Sequence, residues 1–173
     1  MTKRLMKDSL LELMEHQDLV KVSVTAICER ADVHRSTFYK YYTDPADLLR
    51  EIEQDFLDRI PAPPMVLDQQ NQKSLLSAAS EFFDFIKENK KTVRILFSDS
   101  CVSSFSARLV EFLCDGYVPV GDETDELSSH FIQVYIANGT VGMMREWVRT
   151  DFGISSQDLA EMMYFLSKKI SRY

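Results

Sequence analysis

Apolar residues recur three and four positions apart along nearly the whole chain, and no stretch alternates apolar with polar over the length of a strand. The pattern therefore predicts an all-α protein of about nine helices. Leu5, Ser9, Leu10, Leu13 and Met14 keep helical spacing in a first helix of about residues 2–16. Ser23 stands at an N-cap position ahead of Val24, Ile27, Cys28 and Ala31, which line one side of a short second helix. The stretch HRSTFYKYY, from His34 to Tyr42, is expected to be the third. A fourth follows Asp44, whose carboxylate suits a cap, with Pro45 where a missing N–H is harmless and Asp47 three residues after the cap. It should run to about Arg59, before the PAPP string at Pro61–Pro64, which cannot continue a helix. Beyond it, helical runs are expected at about 72–89, 91–98 and 101–115, then at about 124–149 and 155–171 after a break from Gly116 to Asp122. The pattern thus divides the chain into residues 1–48 with a linking helix over 44–59, and residues 60–173.

Charge sharpens this division. Residues 1–50 hold eight Lys or Arg and eight Asp or Glu, so the whole net charge of −7 lies in the remainder. A polyanionic partner is expected to meet the front half and to be repelled by the rear. With 173 residues and 45% apolar content the chain can bury a core, while no run of about 18 apolar residues or leader-like start appears, so a cytoplasmic protein without a membrane partner is expected. Cys28, Cys101 and Cys114 form no CxxC pair and suit reduced, buried thiols. His16, His34 and His130 are widely separated, and no metal or other cofactor is expected. The absence of GxSxG, P-loop and HExxH strings argues against an enzyme.

The third helix carries the candidate chemistry. Phe38 and Tyr42 lie four apart and, with Val33 in the preceding turn, should face the first two helices. Arg35, Ser36, Tyr39 and Lys40 share the opposite face, where every side chain can hydrogen-bond. Two short helices joined by a turn at Ala31–Val33 make a helix-turn-helix, whose second helix enters the major groove of DNA. Arg35 could fork onto guanine, while Tyr39, Lys40, Ser23 and Thr25 could hold phosphates. Lys3, Arg4 and Lys7 at one end of the first helix could reach flanking backbone, with Lys21 near the same surface. A solvated basic face is the plainer alternative.

The string VSVTAICERADVHRSTFYKYYTDPADLL, within about residues 5–52, resembles the N-terminal signature of the TetR family of transcriptional regulators. The later segment with Gly139, Gly142 and Trp147 is similar to C-terminal domains of a subset of that family common in Gram-positive bacteria. The resemblance implies a helical repressor with a three-helix reader and a fourth helix linking it to a ligand-binding, dimerising bundle. It places base and phosphate contacts on Thr25, Arg35, Ser36, Thr37, Tyr39, Lys40 and Tyr41. Two positions depart from the family pattern. Asp32 stands where glycine is usual in the turn, and Pro45 where lysine usually meets phosphate. The missing cation and the acidic total keep a second reading open, a dimeric helical adaptor that has lost DNA binding.

The expected eighth helix is apolar on several sides and so calls for cover on several sides. Gly139 and Gly142 would let another backbone approach, which suggests a homodimer through helices eight and nine, with Met143 and Trp147 in the contact. Packing within one chain is the alternative. The acidic GDETDE string at Gly121–Glu126 reads as a solvated helix start. Phe82, Phe97, Phe105, Phe131 and Tyr135, with Asn138 and Arg94 as polar groups, are candidates for a small-molecule effector pocket of unknown ligand class, although aromatic stripes are commonly core.

Overall fold

The computed structural model describes residues 1–61, 72–98, 105–115 and 126–170, which form nine α-helices and no strand. In chain order they are α1 (Thr2–Met14), α2 (Val24–Ala31), α3 (Arg35–Tyr39), α4 (Pro45–Leu57), α5 (Gln72–Glu88), α6 (Lys90–Leu96), α7 (Phe105–Asp115), α8 (Glu126–Arg149) and α9 (Ser156–Ile170). The Gly116–Asp122 break, Cys101 and most of the PAPP and GDETDE strings lie outside the described residues.

Local chemistry explains the helix starts. Ser23 Oγ accepts the Ala26 N–H at 3.1 Å and opens α2. At α4 the Asp44 carboxylate accepts the Asp47 N–H at 2.8 Å while the Asp47 carboxylate accepts the Thr43 N–H at 2.9 Å, a reciprocal cap ahead of Pro45. Ser155 caps α9 by accepting the Asp158 N–H at 3.0 Å.

Three details differ from the sequence pattern. The buried stripe of α1 is Met6, Ser9, Leu10 and Met14, and Leu5 is exposed, because α1 must face both α2 and α4. A 3-10 turn at Leu19–Lys21 interrupts the approach to α2 and buries Leu19; three residues are too few to show a period. Helix α3 is only five residues long, its turn being extended by the Tyr41 and Tyr42 N–H groups donating to the Phe38 carbonyl.

The chain forms two compact units, Met1–Arg59 with Arg94–Phe105, and Ile60–Val93 with Ser106–Tyr173. In the first, α1 packs on α2 and α4, and α2 on α3. Met6, Leu10, Ile27, Phe38, Leu48 and Phe56 are fully buried there. Phe105 completes this core, with its ring 5.7 Å from Phe56 and 5.3 Å from Phe97, both edge-on. In the second unit α5 lies along α9, which also touches α8. Phe83 packs 5.8 Å from Trp147, whose Nε1 donates to the Ile154 carbonyl at 3.0 Å. No helix among the described residues is long and apolar enough to cross a membrane.

Candidate nucleic-acid interface

The turn between α2 and α3 is set by Asp32, which takes a left-handed φ of 52°. The Val33 N–H donates to the Cys28 carbonyl at 3.0 Å across it, so the end of α2 is closed as a glycine would close it. Aspartate tolerates this region better than most residues, and the departure at Asp32 leaves the turn intact. Helix α3 then starts at Arg35. Its inner side is anchored by Phe38, with its ring 5.6 Å from buried Tyr42, so the outer side is held at a fixed angle.

Arg35, Ser36, Tyr39, Lys40 and Tyr41 are exposed, whereas Thr25 and Thr37 are half-buried. Ser23 is exposed, but its oxygen already serves as the α2 cap. A cleft of about 350 Å³ lies beside the start of α3, lined by Thr25, Cys28, Glu29, Asp32, Val33, His34 and Arg35. Burial pushes the Cys28 and Cys114 thiols up, which disfavours reactive thiolate.

The cations separate into two groups. Lys21 pairs with Asp18 at 3.2 Å and Arg30 with Glu12 at 2.5 Å. Lys3 and Lys7, read from the sequence as free to meet DNA backbone, reach α4 instead. Arg4, Arg35 and Lys40 have no carboxylate partner among the described residues.

Glu51 organises the pairs to α4. Its carboxylate accepts from Lys3 Nζ at 2.8 Å and contacts Lys7 Nζ at 2.6 Å, while Lys7 also reaches Asp55 at 2.5 Å. Burial works to raise the Glu51 pKa, but the bonds from Lys3 and Lys7 outweigh it and bring the carboxyl down to about 2. Burial, followed by the Glu51 charge, pushes the Tyr42 hydroxyl up, although that hydroxyl has no partner at full hydrogen-bond geometry.

This cluster sets a pH dependence. The ordinary Glu51 value is 4.5 and the folded value about 2, so its stabilisation is complete above about pH 4.5 and is lost as pH falls toward 2. Because Glu51 is partly exposed, the contribution is about 1 kcal/mol after screening. Urea unfolding of wild type and Glu51→Gln at pH 6 and pH 3 should show the stability difference shrinking at pH 3. An equal difference at both pH values would remove Glu51 as its source.

The rear candidates fall in different places. Phe97 and Phe105 belong to the core of the first unit, and Phe82 to that of the second beside Phe83. Phe131, Tyr135 and Asn138 lie exposed along α8, where Asn138 Nδ2 donates to the carbonyl of Val134 in its own helix. Trp147 is buried within its own chain and Met143 half-buried, whereas Gly139 and Gly142 are exposed and a Cβ on either would meet no atom within 4 Å. The sequence reading missed a further set of exposed apolar side chains, Leu127 on α8 and Met162, Phe165 and Leu166 on α9. Its signal was present in the four-residue spacing of Leu127, Phe131 and Tyr135.

A short helix locked by a left-handed turn onto a second, with a basic hydrogen-bonding face outward, defines a helix-turn-helix DNA-binding regulator. Residues 8–52 match the family model described as bacterial regulatory proteins, tetR family, and residues 73–169 match that of a transcriptional regulator C-terminal region. The chain belongs to the TetR family of transcriptional regulators. No match is found among curated proteins. Among solved structures, a TetR transcriptional regulator from Streptococcus agalactiae superposes with a TM-score of 0.72 at 18% identity, covering 96% of this chain and 93% of its own. The dihydroxyacetone kinase operon activator DhaS gives 0.67 at 18% identity, covering 99% and 97%. The fatty acid degradation regulator FadR from Bacillus halodurans gives 0.61 at 18% identity, covering 96% and 94%.

Proposed function

We propose that this regulator is a ligand-responsive repressor that binds a palindromic operator as a homodimer, one α3 in each of two successive major grooves. The observation that carries the reading is the outer face of α3, where Arg35 and Lys40 are exposed without carboxylate partners while Phe38 behind them is fully buried. Arg35 reads guanine; Ser36, Thr37, Tyr39, Lys40 and Tyr41, with Ser23, Thr25 and Lys21 at the α2 end, set the register on phosphates. With Pro45 at the start of α4, the reader lacks a cation there and relies more heavily on α3. The second subunit is held through the exposed apolar face of α8 and α9, around Gly139 and Gly142. Met143 lies beside that face, and Trp147 supports it from within the chain.

The effector is a small molecule bound by the second unit. The first unit takes in Arg94–Phe105, so the chain passes from one unit to the other within α6, and Phe105 at the start of α7 packs on Phe56 of α4 inside the first unit. A ligand that favours one setting of this connection changes the spacing of the two α3 helices by its differential binding energy, typically about 1–3 kcal/mol. DhaS is named an operon activator, so activation is the second reading, and transcription from a bound promoter in vitro separates the two.

Gel shift against genomic fragments, with sequencing of what is retained, supplies the operator. On it, Arg35→Ala should cost about 1–3 kcal/mol, concentrated at one base pair per half-site. Equal losses on operator and random duplex would remove the base-reading role, and no retained fragment would favour the adaptor.

A further inference from the structure

Lys3 lies beside the proposed phosphate-holding residues. Its Nζ is 5.5 Å from the Tyr41 ring and 5.3 Å from that of Tyr42, and Lys40 Nζ is 5.6 Å from the same Tyr41 ring. Two ammonium groups therefore border one exposed tyrosine at the end of α3, but only Lys40 lacks a carboxylate partner. The Lys3 charge is met by Glu51 at 2.8 Å, and Lys7, with its side chain 16% exposed, is enclosed by Glu51 and Asp55. An ammonium already neutralised by protein releases no counterion on meeting a phosphate, so it adds nothing to the salt-dependent part of DNA affinity.

We propose that Glu51 is a specificity-determining residue: by neutralising Lys3 beside Tyr41 it holds down sequence-independent phosphate binding and leaves discrimination to the base contacts of α3. The inference rests on the reading of α3 as the DNA-contacting helix. Its physical content is a ratio. Cations at the edge of a reader strengthen binding to all sequences alike, whereas base contacts strengthen only the correct one, so an internal counter-ion at the edge raises the difference between them. Glu51 acts through Lys3 and need not touch DNA.

The test uses the full chain and a mixed-sequence 30-base-pair duplex, with affinity measured by fluorescence anisotropy over a range of salt concentrations. Glu51→Gln should steepen the slope of log affinity against log salt by about 0.9 for each subunit that gains a phosphate contact, raising affinity about 8-fold per contact at 0.1 M salt. Lys3→Gln alone should change neither slope nor affinity, and added to Glu51→Gln it should abolish the gain. An unchanged slope in a folded Glu51→Gln protein overturns the inference. So does a slope made shallower by about one in Lys3→Gln, a variant informative even if Glu51→Gln fails to fold. Wild type that binds no duplex at low salt would instead overturn the reading of α3 as well, which distinguishes the two failures.

Discussion

Phe38→Ala is expected to unfold the reader. Phe38 is fully buried beneath α3, with its ring against those of Tyr39 and Tyr42 at 5.7 and 5.6 Å, and alanine would leave a void under a helix of five residues. Buried phenylalanine truncations cost about 3–5 kcal/mol, a large share of the total stability of about 5–15 kcal/mol common to small domains. The reader has little else to draw on, since so short a helix has no stability of its own and keeps its shape by packing. Circular dichroism during urea unfolding should show the first transition moving to much lower denaturant, with operator binding lost in parallel. The outer residues Arg35, Ser36 and Lys40 would be untouched. A loss below about 1 kcal/mol would mean that α3 is held by something other than this contact.

The second large effect is expected at the α8–α9 face. Phe131, Tyr135 and Phe165 are 66%, 64% and 57% exposed in one chain, and Leu127 on α8 and Met162 and Leu166 on α9 are exposed as well. Large apolar side chains exposed at helical spacing on two helices suit an interface, and buried aromatic anchors commonly contribute about 2 kcal/mol or more each to association. The double variant Phe131→Asp with Phe165→Asp should therefore weaken dimerisation at least about 100-fold, since each charge would have to be buried without a partner. Gly139→Leu should act in the same direction by bulk, because a Cβ at that position meets no atom of its own chain within 4 Å and the substitution is tolerated there. Sedimentation at micromolar concentration checks both. A wild-type monomer, or a double variant that remains dimeric, would exclude this face as the contact. A monomeric variant should also lose operator affinity while keeping the reader folded, because one half-site then binds without the other.

How much of this was legible in the chain differs from residue to residue. The helical fold and its starts were legible because period and capping are local: Ser23 and Asp44 do within three residues what the pattern predicts. The two sides of α3 were legible for the same reason, since positions four apart must share a face, and Phe38 and Tyr42 are buried while Arg35 and Lys40 are not. The turn at Asp32 was legible as a residue able to take positive φ. Side-chain pairing over long separations was not. Lys3 meets Glu51 across 48 residues, so no local spacing could tell that this cation was already neutralised. Nor could the sequence apportion the aromatic residues of the rear half. Phe105 completes the core of the first unit, Trp147 packs inside the second, and Phe131 and Tyr135 face outward, although all lie on helices of similar apolar content. Periodicity determines that a helix has an apolar side; which neighbour covers that side, or whether any does within one chain, is decided only when the helices pack.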